Sequence, residues 1–189
     1  MTDSCEINYG PLKALIGIWE GDKGMDLAPD PDGSEDNPYY ESIEFEAIGD
    51  VTNAEAQVLV ALRYYQVVRR KSDNKVFHNE TGYWMWDSAT DVIMHSLAIP
   101  RGVCVLAGGQ CSAPDNDTDP VDIEVIASAD NPDWGILQSP FMQNKARTTR
   151  FTHQLSVANG VLRYSETTII DIYGNTFEHR DQNELVLQT

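Results

Sequence analysis

Apolar and polar residues alternate along most of the chain. From Ser42 to Ile48, Ile43, Phe45 and Ala47 fall on one side and Glu44 and Glu46 on the other, the period of two expected of a half-buried strand. Further β-rich runs cover 58–70, 76–86, 92–99, 102–107, 121–127, 145–157, 161–173 and 176–187. In the 145–157 run the alternation puts Arg147, Thr149, Phe151, His153 and Leu155 on one face. Between the runs lie suitable turns: Lys71-Ser72-Asp73-Asn74, Pro100-Arg101-Gly102, Ala158-Asn159-Gly160 and Tyr173-Gly174-Asn175. About ten strands joined by short hairpins predict an all-β, up-and-down antiparallel meander. So wide a sheet exposes two edges unless it curls shut, which favours a closed barrel over an open sheet, with a β-sandwich as the alternative. A barrel of this size has room inside for one small ligand.

One short helix precedes the strands. Pro11 suits a first helical position, Gly17 suits the stop, and Leu12, Leu15 and Ile16 share a face. Gly17-Ile18-Trp19 follows at the start of the first strand, and an indole there would plug one end of the barrel. Two stretches break the rhythm, Asp26 to Pro38 and Ser112 to Asp133, the second interrupted by the 121–127 run. Their Asp, Asn, Pro, Ser and Gly content reads as long acidic loops at the barrel rim, with Asp26 to Pro38 and Ser112 to Pro120 expected to be mobile and dispensable.

Composition then narrows the functions. The 189 residues include 30 acidic against 13 basic, a net charge of −17, which disfavours phosphate backbones and anionic membrane surfaces as partners. The length suits one domain, and no apolar run approaches a membrane span. The N-terminus MTDSCEINYG carries no secretory pattern. Cys5, Cys104 and Cys111 have neither metal-type spacing nor an even disulfide count. They are expected as free thiols in a cytoplasmic protein, Cys104 in the core and Cys5 exposed.

Candidate chemistry is confined to two strands. In 76–86, His78, Glu80, Gly82, Trp84 and Trp86 share a face. His78 and Glu80 read as a polar pair at the rim, and Gly82 as a bulge or a place where a ligand nears the backbone. In the last strand Phe177, His179 and Asp181 share one face, while Glu178, Arg180 and Gln182 share the other. An inward Phe177 would carry His179 inward. The inward Asp181 that follows needs a partner or a bulge, failing which Glu178 and Arg180 would face in instead. Taken alone, His179 is a histidine among acidic neighbours. HExxH, CxxC, phosphate-loop and GxSxG motifs are absent.

Several short motifs occur together in order. Leu15-Ile16-Gly17-Ile18-Trp19-Glu20-Gly21, His78-Asn79-Glu80-Thr81-Gly82-Tyr83-Trp84 and Leu97-Ala98-Ile99-Pro100-Arg101-Gly102 resemble motifs of the nitrobindin family, haem-binding barrels similar to fatty-acid-binding proteins. The resemblance implies a ten-stranded barrel holding ferric haem b, with His179 as axial ligand to the metal and His78 lining the other side. Trp84, Phe45, Phe177 and Ile99 would complete the ligand pocket, and nitric oxide and peroxynitrite would be the reactants. The alternatives are a metal-free carrier or sensor of a fatty-acid-like apolar molecule, and an enzyme using His78 and Glu80 as an acid–base pair.

Overall fold

The computed structural model describes residues 7–188. A 3-10 helix, Gly10–Leu15, precedes eleven strands: β1 Gly17–Asp30, β2 Gly33–Ala54, β3 Gln57–Arg70, β4 Val76–Asp87, β5 Val92–Ile99, β6 Val103–Gln110, β7 Val121–Ser128, β8 Ile136–Gln138, β9 Ala146–Ala158, β10 Val161–Ile172 and β11 Asn175–Leu187. A six-residue helix, α1 Pro140–Lys145, sits between β8 and β9. All pairings are antiparallel. β1 joins β11, and β5 joins β6, so ten strands close in chain order and the short β8 adds to β6. Bulges in β1 between Gly21 and Gly24, and in β2 between Ala47 and Gly49, supply the local bending that closure requires. No helix among the described residues is long and apolar enough to cross a membrane.

The closed-barrel reading holds, but several local expectations do not. Asp26 to Pro38 is a hairpin rather than a loop: Asp26 pairs with Asn37, Leu27 with Asp36 and Asp30 with Gly33 around a tight turn. Its polar residues satisfy one another, since Asn37 Nδ2 donates to Asp26 at 3.2 Å and to Glu35 at 3.1 Å. Within Ser112 to Asp133 the irregular parts are 112–120 before β7 and 129–133 after it. β8 and α1 follow that stretch where no element is expected. Ser139 caps α1, its Oγ accepting from the Met142 N–H. Cys104 is exposed rather than core, because Val103, Val105 and Ala107 take the inward positions of β6. Cys5 lies outside the described residues.

In β9 the alternation is broken. Ile169 pairs with Arg150 and Ile170 with Thr148, leaving Thr149 as the extra residue of a bulge. Parity therefore flips, and Thr148 faces inward with Phe151 while Arg147 turns out. Gly82 marks neither a bulge nor a ligand approach. A Cβ there would lie 1.9 Å from the Ser96 carbonyl oxygen, so the glycine lets β5 pass close by.

The helix end of the barrel is packed solid. Trp19 is 1% exposed, and its indole N–H donates to the Leu15 carbonyl at 2.7 Å. Leu12 and Leu15 of the helix join Trp19, Leu62, Trp84, Trp86, Ile93 and Leu185 in one apolar cluster. Gly10 allows the helix to seat: its φ is +53°, and a Cβ would be 2.3 Å from the Trp86 ring.

Candidate functional site

The opposite end of the barrel is open and holds a cavity of about 400 Å³. Its floor and one flank are apolar, formed by Val68, Leu97, Ile99, Val103, Val105 and Phe151. Titratable side chains line it from two sides: Asp26 from β1, Glu166 from β10 and His179 and Asp181 from β11 on one, and His78 and Glu80 from β4, between β3 and β5, on the other. Arg101, in the β5–β6 turn, also reaches it.

His179 does face inward. β11 pairs with β10 in unbroken register from Asn175 to Val186, so no bulge separates His179 from Asp181, and both enter the cavity. The inward carboxylates find a partner in the imidazole between them. His179 Nε2 hydrogen-bonds Asp26 Oδ1 at 2.7 Å and stands 3.5 Å from Asp181 Oδ2. Burial by itself would lower the His179 pKa, but the bond to Asp26 and the charge of Asp181 outweigh it and hold the ring protonated more readily than usual. Asp181 is pushed up to about 7 by burial, against the opposing pull of His179.

His78 and Glu80 form the expected pair, with Nε2 and Oε2 3.5 Å apart. Burial opposes the charge on His78, yet the Glu80 hydrogen bond and charge prevail and raise it to about 9. Glu80 also accepts from the Tyr64 hydroxyl, which bonds His95 Nε2 at 2.9 Å. His95 is fully buried, stacked on Trp84 with centroids 4.0 Å apart, and burial holds its pKa well below the ordinary value.

Of the residues singled out from sequence, His78, His179 and Ile99 meet at the cavity. Trp84 and Phe45 do not line it. They belong to the packed half, with Phe45 stacked on Tyr64 at 5.9 Å. Phe177 lies nearer the β10–β11 turn and is not a lining residue either. Sequence reasoning passed over Asp26, hidden in an apparent loop, and Glu166. It also missed Glu41, a buried hub that accepts from Gln66 Nε2 at 2.6 Å, Asn183 Nδ2 at 2.6 Å and the Tyr164 hydroxyl at 3.0 Å. Burial raises Glu41 to about 7 despite these donors. Glu166, 3.2 Å from His153 Nδ1, is held below the usual carboxylate range by that neighbour although burial pulls the other way.

The sequence profile of the THAP4-like, heme-binding beta-barrel domain matches residues 8–186. The chain belongs to this haem-binding β-barrel family. Among solved structures it is similar to Rv2717c from M. tuberculosis, with a TM-score of 0.67 and 21% identity over 97% of this chain and 100% of that one. That likeness speaks to the fold. No curated protein matches the chain. Membership supports a barrel that binds haem or another small ligand.

Haem asks three things of such a cavity: volume, apolar walls and an imidazole nitrogen free for iron. The first two are present, since about 400 Å³ falls within the roughly 300–1,000 Å³ of small-ligand sites. The third is met only in part. Nε2 of His179, the ring nitrogen farther from the backbone, is taken by Asp26, and Nε2 of His78 faces Glu80. Protonation, which the carboxylate neighbours favour on both rings, would compete with metal binding, since a metal-bound imidazole is neutral. Axial ligation of haem iron through Nε2 of either histidine would therefore require its carboxylate pair to open.

Proposed function

We propose that this barrel is a carrier or sensor holding one small amphipathic molecule in the open-end cavity, without iron on His179. The observation that carries the reading is that the cavity combines an apolar lining with carboxylates that already engage its two histidines, Asp26 on His179 and Glu80 on His78. The apolar lining supplies the affinity expected of apolar burial, and the polar groups orient the ligand, the usual plan of small-molecule sites. Haemin titration of the purified protein tests it. The expected outcome is no Soret band whose position or intensity depends on His179; a sharp band abolished by His179→Ala overturns the reading.

A second reading has one observation in its favour, the inward placement of His179 on the last strand of a haem-binding family barrel. In it, ferric haem b is held by His179 with His78 on the opposite side, and the barrel acts on nitric oxide or peroxynitrite. It requires His179 to leave Asp26, so haem uptake would be strengthened by Asp26→Asn. The same titration decides between the two.

A further inference from the structure

Resting on the carrier reading, we infer that the cavity takes an organic cation: an amphipathic amine with its ammonium head against Asp181 and its hydrocarbon body along Val103, Val105 and Phe151. Three of the four cavity carboxylates have hydrogen-bond or ion-pair partners that occupy them. Glu80 is engaged by Tyr64 and His78, Glu166 by His153, and Asp26 by both His179 and Asn37. Asp181 differs. It meets His179 at 3.5 Å, and no hydrogen bond to its carboxylate forms among the described residues. Its oxygens line the cavity with acceptor capacity to spare.

Charge decides what can use that capacity. Four carboxylates, Asp26, Glu80, Glu166 and Asp181, line the cavity against His78, His179 and Arg101. Against Asp181 itself a fatty-acid carboxylate would meet a like charge, whereas an ammonium group offers three donors and the opposite charge. A bare divalent ion is the other cation to consider, since ligand atoms of Asp26, His179 and Asp181 lie within 4.8 Å of one another. Such an ion would have to displace the Asp26–His179 bond and would leave the apolar flank uncovered. An alkylammonium uses both the Asp181 carboxylate and the apolar lining and leaves that bond in place.

Isothermal titration at pH 8 with decylammonium, butylammonium, decanoate and zinc, each alone, tests the inference on the full chain. Decylammonium should bind about tenfold or more tightly than either decanoate or butylammonium, a difference of about 1.4 kcal/mol per tenfold. Asp181→Asn, which keeps side-chain shape, should weaken decylammonium by about tenfold while leaving the melting transition cooperative. Decanoate binding as tightly as decylammonium, or affinity unmoved by Asp181→Asn, overturns the cationic head but leaves the carrier reading standing. Zinc binding lost in Asp181→Asn, with no uptake of amine, overturns it in favour of a metal site. Failure of decylammonium and decanoate alike sinks the inference together with the carrier reading.

Discussion

The same strands that turn large apolar side chains inward at one end of the barrel turn titratable ones inward at the other. Along β1 the inward positions run from Trp19 to Asp26, along β4 from Trp84 to Glu80 and His78, along β10 from Leu162 to Glu166, and along β11 from Leu185 to Asp181 and His179. At the helix end this produces a core in which Trp19, Trp84, Leu162 and Leu185 are at most 2% exposed. At the other end it leaves a cavity. Stability and binding are thus separated along the barrel axis. Close packing is worth most where no solvent enters, while inward carboxylates are tolerable only where hydrogen bonds or water meet them. The contrast can be broken experimentally from either end.

The largest effect is expected in the packed half. Trp19→Ala removes a buried indole, its hydrogen bond to Leu15 and the contact that seats the helix. The expected loss is about 3–5 kcal/mol, read as a lower denaturant midpoint with an unchanged slope. A variant that unfolds with the parent would mean that the helix end is not the stabilising half. Gly82→Ala follows. The added methyl would meet the Ser96 carbonyl, and forcing β4 and β5 apart should cost about 1–3 kcal/mol. Loss of amide protection confined to those two strands in hydrogen exchange would locate the damage.

These two positions also show how far the sequence could be read. Trp19 was legible because a Gly-x-Trp pair after a short helix has a single sensible place at a barrel end. The period of two placed His179 correctly, since β11 happens to run without a bulge. Where the strands do bulge, parity failed: the extra Thr149 reversed the faces expected for Arg147 and Thr148. Composition misled at Asp26 to Pro38, because turn-type residues within a hairpin satisfy one another across the ladder as well as they satisfy a loop. The cavity partners themselves were not legible. Asp26 and His179 are 153 residues apart, and what joins them is strand register, which local pattern does not fix.

Intermediate in size is the pH response of the open half. Asp181 has a folded pKa raised by burial to about 7, so the folded state binds more protons than the unfolded one between about pH 4 and 7. Its contribution is therefore fully present below the unfolded pKa and is lost as pH rises through 7. His78, raised to about 9, is lost across the window from about 6.5 to 9. His95 in the packed half runs the other way: its depressed pKa makes stability fall as pH drops below the ordinary histidine value. Differences between variants isolate each limb. Compared with the parent, Asp181→Asn should gain about 1–2 kcal/mol in relative stability between pH 4 and 7, discounted for a side chain that is partly solvated. A parallel pair of pH profiles would show that Asp181 titrates normally and that the cavity wall is wetter than its geometry implies.

The smallest effect sharpens the comparison most. Ile99 is an aliphatic residue like Ile93 and sits on the same strand, yet Ile93 is fully buried in the core whereas Ile99 is partly buried at the cavity. Truncating Ile93 leaves a new hole in close-packed surroundings and should cost about 2–5 kcal/mol. Ile99→Ala enlarges a space that already exists. It carries no new cavity term and forfeits part of the transfer term alone, so about 1 kcal/mol or less is expected. Its consequence should appear in binding instead, as a several-fold weaker hold on the body of an amphipathic ligand. Measuring both variants by denaturant unfolding and by ligand titration gives a crossed result if the halves are specialised: Ile93→Ala alters stability, and Ile99→Ala alters affinity. Equal losses of stability would place Ile99 in a continuous core and remove the division between the two ends.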